Sequence, residues 1–362
     1  MPYFDVAVVG AGIAGCLIAQ EITDRSPGTS IAVLDRGAVG GGASRFSAGL
    51  HFPRGATERV RRMTSYSQAY YDGLRARRAE LPIWPARMYV MAATGHADRL
   101  AEVYLPDAGL TRQDRSHLRL GDGLVRVPPD VGLWQGSGCQ YADVPALAQA
   151  LAAGLRPGVV FHEGLTVTSV RPGPSGVTLG LGSGRSLEAG RVVLAPGPWL
   201  AADAWSALLA PLRARVKKVV ALHLDIRAGV DDPVIVFHDE DAFLLPMRHR
   251  GHWLFSYTCT EWDVDPDQLT NGLRADDLDT AHAVLDRYAP GLSKRCTSGR
   301  VFCDAYSATG EPEIRTLDPD GRIVFAGAAN GSGYRLGPAV AAATGDLLSL
   351  PARSAARSDS DH

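Results

Sequence analysis

Gly10, Gly12 and Gly15 stand as Gly-x-Gly-x-x-Gly, and the carboxylate of Asp35 follows twenty residues later. These residue types at this spacing can hold a dinucleotide. Gly10 and Gly12 let the chain turn sharply and bring bare backbone against a pyrophosphate, while Gly15 lets the next helix pack close. A helix opening at that point aims unpaired N–H groups and its positive dipole end at the phosphates. Asp35 can accept hydrogen bonds from a ribose hydroxyl. An acid there suits NAD and FAD equally, so the motif alone leaves the cofactor open.

The flanking sequence supplies the elements that must position these groups. Val6 to Val9 is short and β-branched, as a buried parallel strand should be; a helix is predicted over Ile13 to Arg25, and Ile31-Ala32-Val33-Leu34 gives a second strand ending at Asp35. The glycine-rich run from Gly37 to Ser44 must be a loop close to the nucleotide. From Arg59 to about Leu81, Val60, Met63, Tyr66, Tyr70 and Leu74 recur at helical spacing while six arginines take other positions. Short strands are predicted at 88–92 and 123–127, and Asp143 caps a helix with Pro145 just inside and Gly154 closing it.

Short strands at 159–161, 167–170, 177–181 and 192–194 predict a return to the first domain with a small sheet laid against it. Segments 216–226, 234–237, 243–247 and 253–258 read as longer strands of an antiparallel sheet, crossed by a helix over 275–288. A last strand covers 322–327, and Gly337-Pro338-Ala339 opens a last helix running to about 350. The nucleotide domain is thus expected at 1–84, 141–212 and 300–352, the second domain at 85–140 and 213–299, and a disordered polar tail at 353–362. No internal repeat is present.

At 362 residues the chain exceeds the usual single-core limit, which predicts two domains. A balance of 37 basic against 39 acidic side chains gives no field that would recruit nucleic acid or an anionic membrane. The five cysteines, at 16, 139, 259, 296 and 303, show neither paired nor metal-type spacing, which reads as reduced thiols and no metal site. The first strand leaves no room for a signal peptide, and no apolar run approaches a membrane span. A cytoplasmic location is expected.

Four stations along the chain resemble the FAD-dependent family that includes D-amino acid oxidase, glycine oxidase and monomeric sarcosine oxidase. They are the N-terminal glycines with their acid; Gly41 to Gly49; Arg191-Val192-Val193-Leu194-Ala195-Pro196-Gly197-Pro198-Trp199; and Gly310-Glu311-Pro312 through Gly327 to Gly337-Pro338-Ala339. The resemblance implies an α/β fold, with a Rossmann-like FAD-binding domain and a substrate domain built on an antiparallel sheet with helices. It implies FAD contacts at Ile13, Ala14, Arg36, Ala43, Ser44, Arg45, Ala48, Gly49 and Val167, besides the N-terminal glycines and Asp35. Farther along it implies contacts at Pro196, Gly197 and Trp199, then at Gly327, Gly331, Gly333, Tyr334, Arg335 and Leu336. Glycines in that last segment permit close approach to a flat ring, and the helix start after it aims donors where negative charge develops on reduction.

The function implied is oxidation of a carbon–nitrogen bond in an amino acid or related amine, by hydride transfer to flavin, giving an imine. Dioxygen is the expected acceptor; the alternatives are a dehydrogenase serving a protein or quinone, and a flavin-binding subunit without turnover. The protein then supplies mainly orientation and charge. An amino-acid substrate needs a fixed cation for its carboxylate, best an arginine, and Arg335 stands where sarcosine oxidase-like proteins carry a carboxylate-binding lysine. Arg59, Arg61 and Arg62 are weaker candidates, His51 falls where the family places residues beside the flavin, and Tyr257 and Tyr306 are candidates to shape an apolar pocket.

Departures from the family pattern carry information too. Where the glycine oxidase branch carries a substrate-binding arginine, this chain has Asp304, which repels a carboxylate and attracts a cationic amine. That points to a different binding pose or to a substrate with a second amine. Where the sarcosine oxidase branch activates dioxygen with a lysine, this chain has Leu254 or Trp253. Cys303 resembles that branch's flavin-attaching cysteine with the spacing shifted by one, and non-covalent FAD is the expectation.

Overall fold

The computed structural model describes residues 2–121, 123–270 and 272–350. The tail expected at 353–362 lies outside the described residues. The described residues fold as two compact units, one drawn from the segments up to 45, 145–215 and 305 onward, the other from 46–144 and 216–304.

The first unit is organised by one eight-stranded sheet. Its middle is parallel: Tyr3–Val9 lies between Ser186–Leu194 and Ile31–Leu34, with Ile323–Gly327 and Val159–His162 outside them. Val6 to Val9 and Ile31 to Leu34 are almost wholly buried, which is why both runs are continuously apolar rather than alternating. Val167–Pro172 and Val177–Leu181 join this same sheet in antiparallel fashion through Ser186–Leu194, rather than forming the separate small sheet expected. The Ile13–Arg25 helix has the predicted bounds. It packs against the final helix, Gly333–Leu347, where Arg25 bonds Glu21, Asp346 and the Ala342 carbonyl.

That final helix begins four residues before the expected Gly337, with Pro338 inside it. Proline lacks the N–H that would bond one turn back and crowds that turn, so the sequence signal marks a position within the helix rather than its start.

The second unit holds a nine-stranded sheet. Val234–Phe237 runs parallel to Ile83–Ala93, whereas Val234–Phe237 with Ala242–Met247, Ala242–Met247 with His252–Tyr257, and Ile83–Ala93 with Val131–Ala142 pair antiparallel. Two apolar cores lie on its opposite faces. One gathers Leu222, Phe237, Trp253, Phe255 and Val301 beneath the Ala275–Tyr288 helix, which also has its predicted bounds. The other gathers Met88, Val90, Ala221, Leu245 and Leu254, with Phe302 packed against it.

Residues 46–84, expected in the nucleotide domain, belong to this second unit. Leu50–His51 pairs with Val131–Ala142, and Ile83 pairs with Ala142, so strand pairing ties the segment to the second sheet. The helix between them spans Glu58–Arg77, with the Thr57 hydroxyl accepting from the Val60 N–H at 3.2 Å. Its buried stripe is Val60, Met63, Thr64, Ser67, Tyr71 and Leu74. Tyr66, expected on that stripe, is 41 % exposed: small hydroxyl residues take the inner face where the helix meets the sheet edge.

Candidate functional site

In the first unit the predicted nucleotide cradle is assembled. Gly10 adopts φ +109° as the first strand ends, and a Cβ there would stand 2.2 Å from the Ala195 carbonyl oxygen. A Cβ on Gly15 would stand 1.8 Å from the Gly10 carbonyl oxygen. Side chains at either position would therefore fill the path that the backbone leaves open. Gly12 is the N-cap of the Ile13–Arg25 helix and offers no side chain to it; Ser44 supplies one instead, its hydroxyl accepting the Ile13 N–H at 3.0 Å. Ala14 and Gly15 fall in the first turn, whose N–H groups the helix itself cannot satisfy.

Asp35 accepts from the Ala11 N–H through Oδ2 and the Gly37 N–H through Oδ1, each at 2.7 Å. The acid thus fixes the loop as well as presenting its outer lone pairs. The turn before Val167 lies along the same strand end, Leu165 N–H donating to Asp35 O at 2.8 Å and Gly164 N–H to Gly37 O at 3.1 Å. Trp199 stacks under the Arg36 guanidinium at 4.6 Å, and its ring lies 3.1 Å from where a Gly42 Cβ would be. Gly197 is left-handed, at φ +58°, which turns the chain from Pro196 into Trp199. Ala43, Ser44 and Arg45 follow in a one-turn helix. An open glycine path, a helix mouth and an acid at one sheet end fit the pyrophosphate and ribose of FAD.

The second station of this unit is the turn before the final helix. Ala328, Asn330 and Gly331 are all left-handed, at φ +47°, +54° and +73°. Asparagine tolerates that region better than most residues, and here its amide also holds the turn: Oδ1 accepts the Ser307 N–H at 3.1 Å, and Nδ2 donates to Ser307 Oγ and Ala328 O, both at 3.2 Å. Tyr306 bridges Ala329, and its hydroxyl stands 3.0 Å from where a Gly331 Cβ would be. Gly333, Tyr334, Arg335 and Leu336 form the first turn of the helix. Arg335 is half-buried and donates to Ser332 Oγ at 2.8 Å.

In the second unit Ala48 and Gly49 lead into Leu50–His51. Gly49, at φ +64°, leaves no room for a Cβ beside the Ala142 carbonyl. Two expected site residues lie in packed surroundings. His51 is fully buried, edge-on to Tyr71 of the Glu58–Arg77 helix. Tyr257 lies in the core beneath the Ala275–Tyr288 helix and donates to the Asp277 carbonyl at 3.1 Å; burial pushes its hydroxyl above the usual tyrosine range. Arg61 holds the Gly55 and Glu102 carbonyls, and Arg62 pairs with Glu58 in solvent. Leu254 and Trp253 are buried and apolar. Lys218 is taken by Asp277 and Glu261, and Lys217 lies over Trp262.

Arg300 is the residue that sequence reasoning missed. It lies on the Cys296–Tyr306 strand and is 8 % exposed. Its Nε donates to Phe46 O at 2.9 Å and its terminal nitrogens to His223 Nε2 at 2.9 Å and Ser47 O at 3.5 Å. His252 stands beside His223 with ring centroids 4.5 Å apart, and His249 stacks on Trp84 at 4.7 Å. The Asp143 carboxylate lies 3.3 Å from His249 Nε2 and 3.6 Å from Arg250. Alternation along the strand, Arg300-Val301-Phe302-Cys303-Asp304, places Arg300, Phe302 and Asp304 on one face. Period-two reading back from Asp304 was the available signal. Cys303 points to the other face, with Val301, and burial with Asp304, Asp265 and Asp267 pushes its thiol up to about 12.

No helix among the described residues is long and apolar enough to cross a membrane. A family model described as FAD dependent oxidoreductase matches residues 5–347. Similar solved structures include glycine oxidase from Geobacillus kaustophilus, with a TM-score of 0.78 at 20 % identity over 98 % of this chain and 96 % of that one. L-α-glycerophosphate oxidase from Mycoplasma pneumoniae with FAD bound gives 0.80 at 16 % identity over 97 % and 96 %, and L-proline dehydrogenase from P. horikoshii gives 0.80 at 15 % over 98 % and 96 %. No curated protein sequence matches the chain. At such identities these likenesses establish the fold, and the family model establishes the family.

Proposed function

This chain belongs to the FAD-dependent oxidoreductase family, and from that premise we propose that it oxidises the carbon–nitrogen bond of an amino acid or related amine to an imine, with dioxygen as acceptor. FAD is its cofactor, held through Gly10, Gly12, Ala14, Gly15, Ser44 and Asp35, and when bound it supplies a hydride acceptor. The remaining work falls to the protein.

The observation that carries this reading is Arg335. It is a half-buried arginine on the first turn of the final helix, directly after a turn of three left-handed residues, and Ser332 Oγ holds its guanidinium at 2.8 Å. A tethered guanidinium suits the α-carboxylate of an amino acid because its planar N–H groups match the two oxygens. Fixing that end of the substrate orients the carbon that bears the amine, which is how binding far from the reacting bond lowers a barrier. Glycine oxidase and L-proline dehydrogenase, both similar in fold, are named for amino-acid substrates.

The test is anaerobic mixing with a panel of amino acids, N-methyl amino acids and cyclic imino acids, followed by air. Bleaching by an amino acid and rapid recovery in air support the proposal. Bleaching with slow recovery that a quinone accelerates would identify a dehydrogenase, and no bleaching by any panel member would reject amine oxidation.

A further inference from the structure

We propose that the second unit carries an anion site centred on Arg300, which takes a small carboxylate or sulfate. A guanidinium has five N–H donors. Three of those on Arg300 have protein acceptors, Phe46 O, His223 Nε2 and Ser47 O. The other two, one on each terminal nitrogen, have none among the described residues. His252 Nε2, beside it, is buried and likewise without a protein partner.

The charge count around these donors is one-sided. Among the described residues the carboxylate beside this cluster of Arg300, Arg250, His223, His252 and His249 is Asp143, which is already engaged by His249 and Arg250. Burying a cation without a carboxylate is costly, and an anionic ligand supplies the missing half of the pair. The neighbours show that cost directly. Burial next to Arg300 and Arg250 pulls His223 down to about 4, and burial pulls Arg300 itself to about 10.

His223 and His252 are half-buried rather than sealed, so the cluster has an open side. A small mono- or dianion, a carboxylate or sulfate, is the class that fits these donors.

Calorimetric titration of the FAD-loaded protein with succinate tests the site without turnover, and sulfate serves as the inorganic competitor. The expected result is binding that Arg300→Met weakens roughly 10- to 100-fold at unchanged FAD content and circular dichroism. Should Arg300→Met fail to fold through loss of the Phe46 contact, His252→Leu and Arg250→Gln decide instead, each expected to weaken succinate about fivefold. Unaltered succinate affinity in the folded variants, or no binding to the parent protein, overturns the site.

Discussion

Arg300 donates a hydrogen bond to His223 Nε2 at 2.9 Å, a contact that exists only while that ring nitrogen is unprotonated. Burial first, then the charges of His252, Arg300 and Arg250, hold His223 near 4 against an ordinary 6.5. The folded state therefore binds fewer protons than the unfolded chain across the interval between those values, and this group's contribution to stability is lost as pH falls through it. Thermal unfolding should show Tm declining from about pH 6.5 towards 4, and ring-proton NMR should give one histidine titrating near 4. In Arg300→Met that histidine should move up; an unmoved titration would separate the two residues.

Gly15 and Gly28 should respond oppositely to alanine. A Cβ at Gly15 would meet the Gly10 carbonyl oxygen at 1.8 Å, whereas one at Gly28 meets nothing within 4 Å. Gly15→Ala is expected to lose flavin absorbance per polypeptide and more than about 3 kcal/mol of stability. Gly28→Ala should stay within about 0.5 kcal/mol of the parent and keep its flavin. Denaturant titration with flavin quantification checks both.

Elements whose signals are local were legible in the sequence. The Ile13–Arg25 helix follows from the glycine turn before it, and Ala275–Tyr288 from its own periodicity. What escaped depends on partners far along the chain. Nothing near 46–84 reveals that its strand ends will pair with Val131–Ala142, and nothing in Val234–Phe237 announces a parallel neighbour 146 residues upstream at Met88. The same holds for the site. Gly10 and Gly12 act through backbone geometry that the motif itself encodes, but Arg300 gains its character from Phe46 and His223, 254 and 77 residues distant. His51 and Tyr257 show the converse: their types promise chemistry, while strand alternation turns both toward packed helices.

Non-covalent flavin is predicted from Cys303. Its thiol is 5 % exposed, points away from the face shared by Arg300 and Phe302, and is held neutral by burial and three nearby carboxylates. The thiolate is the reactive form, and so high a value leaves almost none at neutral pH. Acid precipitation should release all of the FAD and leave a polypeptide of unmodified mass, and Cys303→Ser should keep full flavin content. Yellow colour remaining with the precipitate would contradict the assignment.

Arg335 and Ser332 give the most direct test of the substrate role. Arg335→Met should leave the flavin absorbance spectrum intact, because Asn330 and Ser307 hold the turn at Ala328 to Gly331. Losing a desolvated carboxylate partner costs about 2–4 kcal/mol, so the dissociation constant of whichever amino acid bleaches the parent flavin should rise roughly 30- to 1000-fold. Ser332→Ala removes only the tether at 2.8 Å and should cost about 1 kcal/mol, seen as a smaller loss of affinity. The ordering matters more than either value. If Ser332→Ala weakened binding as severely as Arg335→Met, the hydroxyl would itself be the contact to substrate; if neither changed it, the carboxylate would be bound elsewhere, with Arg300 the next position to test.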